Sequence, residues 1–323
     1  MSKRLDILYA LGDGRFHSGQ ALAHTLGVSR TAIWKHLQVL GELGLEVHAV
    51  AGKGYRLAAP LELLRPEAIV AALDPNSHPL LSGLELHLQL TSTNTHLGAR
   101  ASLGLPSGHA CLAEYQSAGR GRRGRSWISP FAANIYLSLL WRFSLAPATL
   151  GGLGLAVGVA VVRALRQAGL QDLGLKWPND VIWRGRKLAG TLLEMSGESF
   201  GPVAVIVGIG LNVRMPATAG AAIDQDWVDM ETALGNTVSR NALAGMLLHH
   251  LLLALRDYQS AGLAPFLEEW RRHDLIAGKA VRLQLPNHTL TGIAQGVDQT
   301  GSLLLRDHGT VTSHAAGEVS VRL

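Results

Sequence analysis

The chain has 323 residues, of which 47% are hydrophobic and 16% charged. That composition excludes a disordered chain and fits a packed protein of two or three domains. The net charge of +5 and a pI of about 9.6 hint mildly at an anionic partner, nucleic acid or nucleotide.

The start, MSKRLDILYALGDG, is interrupted by Asp6 and Gly12 and does not read as a signal peptide. Residues 1–60 carry seven Lys and Arg against four Asp and Glu, a concentration of the chain's positive charge. Ser18 and Ser29 each precede a helical pattern and can cap it through a side-chain oxygen. Gly27 falls in the short turn between the two helices. Ile33, Leu37 and Leu40 recur at helical spacing and should face a core. Arg30, Thr31 and Lys35 then lie off that stripe, near the second helix's start. This is a helix-turn-helix whose second helix can enter a major groove. Strands around Gly52-Lys53-Gly54 in 47–57 add a basic wing. DNA contacts are expected at Ser29, Arg30, Thr31, Lys35 and Lys53. The same layout also suits a small helical module that binds protein or nothing.

PLELLRPEAIVAALDP (60–75) reads as a helix between prolines that leads into the next region. From about 80 to 275, strand-like runs (LELHLQL, HACLAEY, ANIYLSLLW, LGLKWP, DVIWR, KLAGTLLEM, VAVIVGIGLNV) alternate with helical patterns at 94–102, 149–169, 239–259 and 264–272. A mixed sheet with helices packed on it follows. One cysteine, Cys111, permits no internal disulfide, which fits a reducing cytoplasm. The longest apolar run, 150–162, stops at Arg163 and reads as too short to span a bilayer. A cytoplasmic protein with no membrane partner is expected. From about Gly278, short alternating strands separated by the turn signals PN, DQTG and DHG predict a small barrel of about five strands. The expected domains are 1–62, 63–275 and 276–323.

Between two of the strands lies GRGRRGRSW (119–127), with four arginines and three glycines in its first seven positions. Backbone N–H groups that glycines let close in, with guanidinium forks beside them, can hold phosphates there. A basic loop lying on nucleic acid has the same composition. It is not a Walker loop, because no Lys-Ser/Thr opens a helix after it. TSTN (91–94) does open a helix, where a polar or anionic group sits well, although most such runs are only caps. In KWPND (176–180), Pro178 ends a strand and Asn179 and Asp180 make a turn. Asp180 can organise a cation, orient a basic side chain or merely cap that turn. RKLAG (186–190) sets Lys187 near a glycine. VAVIVGIGLN (203–212) ends in Gly208 and Gly210 with no third glycine and no helix after it, so the dinucleotide fingerprint fails. Glycines on such a strand imply that something lies flat against the sheet. The fourteen histidines are scattered along the sequence. Adjacent His249 and His250 cannot both face one ion from a helix, and no zinc site is expected.

STN, Gln116, GRGRRGR with Trp127, KWPND, RKLAG and GIGLN, in this order and spacing, resemble the biotin protein ligases. The winged-helix start resembles their bifunctional group, which also represses the biotin operon. The resemblance covers essentially the whole chain. It implies an α+β protein: an N-terminal winged helix-turn-helix, a central mixed sheet with packed helices of the class II synthetase and biotin ligase kind, and a C-terminal SH3-like barrel. The reaction it implies activates biotin with ATP and Mg²⁺ to biotinyl-5′-AMP, then moves biotin to a lysine of a biotin carboxyl carrier protein. No metal site made by the protein alone is implied; Mg²⁺ comes with ATP. The adenylate-bound form is expected to be a homodimer on biotin operator DNA.

By that resemblance, Ser92, Thr93, Asn94 and Gln116 would bind the ureido ring, and Gly208 and Gly210 would leave room for the ring system. Arg120, Gly121 and Arg122 would line the carboxylate and α-phosphate, and Lys187 would contact both. Arg120, Arg122, Lys187 and Asp180 are the expected catalytic set. Two anions must meet and charge gathers as pyrophosphate leaves, so positioning and electrostatics suffice without an enzyme nucleophile. The glycine-rich loop is expected to be loose when empty and to order over the water-labile adenylate. Trp227 resembles the aromatic that stacks on adenine, and it also suits a core anchor for its loop. Ser126 stands where some relatives carry a basic residue, which slightly weakens the pull on phosphate. Two rivals remain open: a ligand-sensing DNA-binding protein without catalysis, and a lipoate ligase of the same catalytic fold.

Overall fold

Residues 3–144, 146–197, 202–285, 288–316 and 320–322 are described by a computed structural model. The chain starts with three helices, α1 (Lys3–Leu11), α2 (Gly19–Leu26) and α3 (Arg30–Glu42). Ser18 Oγ accepts from the Ala21 N–H at 3.0 Å and Ser29 Oγ from that of Ala32 at 3.1 Å, so both predicted caps close. Gly27 ends α2 with a φ of +62°, a left-handed turn that a side chain would strain. Ile33, Leu37 and Leu40 are buried with Ile7, Leu8 and Leu11, while Arg30, Thr31, Trp34 and Lys35 are exposed on α3. Strands β1 (Val47–Val50) and β2 (Gly54–Leu57) pair antiparallel as the wing, with Lys53 exposed at its tip.

The helix expected over 60–75 shrinks to α4 (Pro66–Ala71). The backbone N–H groups ahead of it are taken by side chains: Leu64 N–H donates to Glu114 Oε1 at 2.5 Å and Arg65 N–H to Asn241 Oδ1 at 2.7 Å. Those bonds hold residues 61–65 extended against the central region.

There the elements are β3 (Gly83–His87), α5 (Thr93–Ala101), β4 (His109–Ala113), β5 (Ile135–Phe143), α6 (Leu153–Gln167), β6 (Leu173–Lys176), β7 (Asp180–Trp183), β8 (Arg186–Gly197) and β9 (Val203–Leu211). Helices α7 (Ala217–Gly220), α8 (Met230–Leu234), α9 (Arg240–Ala261) and α10 (Ala264–His273) follow. The seven strands run in the order β3-β4-β5-β9-β8-β7-β6. Only β3 and β4 are parallel, so the sheet is mixed as expected. KWPND differs in one detail: Trp177, Pro178 and Asn179 form the β6–β7 turn and Asp180 already pairs with Lys176.

Strand alternation divides the sheet. Leu137, Leu139, Val205, Val207 and Ile209 join the main core with α6 and α9. On the opposite face, Leu140, Ala204 and Ile206 pack under Leu97 and Ala101 of α5. Continuing that second face along β9 reaches Gly208 and Gly210, where bulk is absent. The stretch Pro147–Gln167 is long and apolar enough to cross a membrane by composition, contrary to the expectation from the shorter run, but 72% of it is buried. It is a core helix covered by α9 and the sheet.

The C-terminal strands β10 (Ala280–Gln284), β11 (Thr289–Val297), β12 (Leu303–Asp307), β13 (Thr310–His314) and β14 (Ser320–Arg322) form one antiparallel sheet in the order β13-β12-β11-β10-β14. The predicted turn PN (286–287) lies outside the described residues. Trp177 is fully buried and its Nε1 donates to Gly301 O at 3.1 Å, which fastens this sheet to the KWPND turn. At the other end, Leu63, Phe131 and Ala132 of the central region are buried in the winged-helix core.

Candidate functional site

Residues 119–127 fold into a narrow hairpin on the open face of the sheet. Arg120 bridges Ser126, Gly121 N–H donates to Arg125 O at 2.6 Å and Trp127 N–H to Gly119 O at 2.8 Å. Side-chain and backbone acceptors from three other segments hold its first two arginines. Arg120 Nη2 lies 2.7 Å from Glu194 Oε1. Arg122 Nη1 donates to Asn179 Oδ1 at 3.4 Å, and its Nη2 to Ala316 O beside the C-terminal sheet. Burial pulls the Arg122 guanidinium below its ordinary value, and the nearby Asp180 charge opposes that.

A cleft of about 130 Å³ runs from the hairpin down to β9. Ser92, Thr93, Asn94, Gln116, Arg120, Gly121, Arg122, Asp180, Lys187, Gly208 and Gly210 all line it; of the residues expected at the small-molecule site, Trp227 alone does not. A second cavity of about 310 Å³ adjoins, with Trp227 in its wall. Trp127, Lys187, Arg125, Ser126 and Gln225 line both.

The start of α5 sets the cleft's far end. Ser92 caps the helix. Gln116 Oε1 accepts from the Thr93 N–H at 2.9 Å, and Gln116 Nε2 donates to Ser129 Oγ at 3.1 Å. Ser138, fully buried on β5, places its hydroxyl 2.7 Å from Thr93 Oγ1 and 2.6 Å from Asn94 Oδ1. Asn94 Nδ2 donates to Glu194 Oε2 at 2.9 Å. The two glycines admit these groups. A Cβ on Gly208 would stand 2.2 Å from Asn94 Oδ1, and one on Gly210 2.3 Å from Trp127 Cε2. The flat object against the sheet is therefore, in part, the protein's own amide and indole.

At the junction of the cavities the Lys187 ammonium sits 2.7 Å from Asp180 Oδ1 and 5.5 Å from the centroid of the Trp127 ring. Of the roles left open for Asp180, orienting a basic side chain is the one this geometry fits. Trp127 Nε1 is buried with no hydrogen-bond partner among the described residues, and a Cβ on Gly210 would stand 2.7 Å from it. Trp227 pairs with Lys187 through a backbone bridge, and its Nε1 donates to Gly220 O at 3.2 Å, so it anchors its loop while facing the second cavity.

Ser138, Glu194 and Ser129 carry no signal in one sequence: a lone serine or glutamate on a strand is ordinary until the fold aims it. The DNA candidates lie apart from this cleft. Ser29 is spent on the α3 cap, and Arg30, Thr31 and Lys35 share one exposed flank with Trp34, which is 53% exposed.

Residues 86–212 match the Biotin/lipoate A/B protein ligase family, residues 3–56 an HTH domain and residues 276–322 the Biotin protein ligase C terminal domain. The Bifunctional ligase/repressor BirA of Escherichia coli (strain K12) is 41% identical over 318 residues, covering 98% of this chain and 97% of its own. Its namesake from Bacillus subtilis (strain 168) is 33% identical, with 94% of each chain covered. Among solved structures, a biotin protein ligase from Aquifex aeolicus in complex with biotin and ATP superposes with a TM-score of 0.64 at 27% identity, over 75% of this chain and 99% of that one.

Proposed function

The chain belongs to the biotin protein ligases of the bifunctional ligase/repressor kind, and from that membership we propose how its residues divide the work. It is a ligase that activates biotin with ATP and a repressor that carries its own helix-turn-helix. The observation that carries the division is the meeting of two cavities at Lys187 and Trp127. Biotin takes the cleft under α5, with its ureido group among Ser92, Thr93, Asn94 and Gln116 and its carboxylate toward Lys187. ATP takes the adjoining cavity, with adenine toward Trp227 and the α-phosphate toward Arg120, Gly121, Arg122 and Lys187. The Trp127 indole, which lines both cavities, walls the junction that the two substrates share.

A carboxylate oxygen of biotin then attacks the α-phosphorus, and the bond to the β-phosphate oxygen breaks as pyrophosphate leaves. Lys187, Arg120 and Arg122 hold the two anions together and offset the charge that gathers. Mg²⁺ arriving with ATP supplies charge neutralisation on the phosphates. In the second step a lysine amine of a biotin carboxyl carrier protein attacks the acyl carbon. The mixed anhydride opens, AMP leaves and the amine gives up a proton. Regions 1–62, 63–275 and 276–323 act as DNA-binding, catalytic and C-terminal domains, working in the cytoplasm. The adenylate-bound homodimer places two copies of Arg30, Thr31, Lys35 and Lys53 on biotin operator DNA.

Exchange of labelled pyrophosphate into ATP tests the first step. It should require both biotin and Mg²⁺; exchange that ignored biotin, or that ran faster with lipoate, would refute this assignment. A gel shift on DNA upstream of the biotin operon should strengthen when biotin and ATP are both added.

A further inference from the structure

Away from the cleft, histidines from β3, α5 and β4 converge on the α5 side of the sheet edge. β3 and β4 pair in parallel with Gly83 opposite His109 and Glu85 opposite Cys111. Strand alternation therefore puts Glu85, His87, His109 and Cys111 on one face. α5 lies over that face and adds His96 and Arg100. Glu85 Oε2 is 2.9 Å from His96 Nε2 and 3.3 Å from His87 Nε2; its Oε1 is 2.9 Å from His109 Nε2 and 2.6 Å from Arg100 Nη1. One nitrogen each of His87 and His96 and the Cys111 sulfur lie within 4.8 Å of one another. The two rings meet edge-on at 4.7 Å, and Cys111 is fully buried. None of these residues lines either cavity of the candidate active site.

We infer that His87, His96 and Cys111 form a binding site for a borderline-to-soft divalent cation of the zinc kind, with Glu85 as the carboxylate that orients the imidazoles. Two imidazoles and a thiolate are the donors such ions select, whereas Mg²⁺ and Ca²⁺ prefer oxygen. An imidazole that donates one ring N–H to a carboxylate keeps its lone pair on the other nitrogen, the arrangement that orients metal-binding histidines. Tetrahedral zinc with bonds of roughly 2.0 Å to nitrogen and 2.3 Å to sulfur needs ligand atoms closer than they stand, so the side chains draw in by about 1 Å. Arg100 shares the Glu85 carboxylate but is 44% exposed, and it can turn to solvent as the cation enters. On binding, the Cys111 S–H proton leaves to solvent and a metal–sulfur bond forms. Thiolate and carboxylate together balance the two positive charges.

Co²⁺ titration of the untagged full chain, without competing thiols, tests the site. Cys111 is the chain's only cysteine, so a thiolate-to-cobalt charge-transfer band reports this position alone. One Co²⁺ per chain should give that band with tetrahedral visible absorption, and Zn²⁺ should bleach it. Cys111→Ser should abolish the band, and His87→Ala or His96→Ala should weaken Co²⁺ binding by roughly tenfold or more. His308→Ala, at a position 97% exposed in the β12–β13 turn, should change nothing. If Cys111→Ser fails to fold, the two histidine variants carry the test. A wild-type chain without the band at saturating Co²⁺, or a band that survives loss of both histidines, overturns the proposal.

Discussion

The Lys187 ammonium lies 2.7 Å from Asp180 and under the Trp127 ring, so the protein holds it in place before any substrate contributes. A lysine on a flexible stem gains most from such holding, because its rotamer freedom is already spent when the anions arrive. Lys187→Ala should therefore lower biotin-dependent pyrophosphate exchange by about a hundred- to a thousandfold, the loss typical of removing one preorganised charge. Asp180→Asn should cost less, since the charge remains and only its placement loosens. Equal losses would mean that Asp180 acts directly on substrate. Lys187 stands out in the sequence because it lies within RKLAG. Ser138 does not stand out: its role depends on Thr93 and Asn94 arriving from another element.

On β9 the glycines at 208 and 210 are two residues apart and face the same cleft, yet they serve different neighbours. A methyl on Gly208 would strike Asn94, and one on Gly210 would strike Trp127. Gly208→Ala should raise the KM for biotin and leave that for ATP nearly unchanged. Gly210→Ala displaces an indole that walls both cavities and should raise both. Overpacking of this kind costs about 1–3 kcal/mol, so steady-state kinetics with either substrate varied should resolve the split. Parallel shifts in the two variants would show that Asn94 and Trp127 do not act on the two substrates differently. The same strand shows what was legible beforehand. Glycines in an otherwise apolar run announced a close approach, and local chemistry announced the caps at Ser18 and Ser29 and the turn at Gly27. What approaches the glycines, and the gathering of His87, His96 and His109, depends on the parallel register of β3 and β4 and on where α5 lies. Those are long-range facts with no local signature. The helix predicted over 60–75 is shorter in the structure for a related reason: side chains 50 and 176 residues away claim the N–H groups of Leu64 and Arg65.

Across the whole molecule, an arginine of a buried ion pair in the central region also reaches the passage from the winged helix. Arg240 Nη2 lies 2.7 Å from Glu114 Oε2 with both side chains almost fully enclosed, and Arg240 Nη1 donates to Glu62 O at 2.7 Å. The passage from the winged helix is thus bonded to the first turn of α9 and the end of β4. Glu114→Gln strands the Arg240 charge and should destabilise the chain by about 3–5 kcal/mol in urea unfolding. Glu268→Ala, which breaks the exposed pair with Arg272, should cost about 0.5 kcal/mol or less. A comparable loss in the two variants would show that the carbonyls of Glu62 and Asn134 satisfy Arg240 without the Glu114 charge. The shared core of the two regions also bears on attempts to shorten the protein. Phe131 and Ala132, a few residues past Trp127, are buried among winged-helix side chains, with Tyr115 and Leu88 packed beside them. Trimming the N-terminal module to obtain a minimal labelling enzyme would uncover an adhesive patch and unmoor the root of the arginine hairpin. Such a reagent would need polar replacements at Phe131 and Leu63, and a new brace for the hairpin, before it could match the parent.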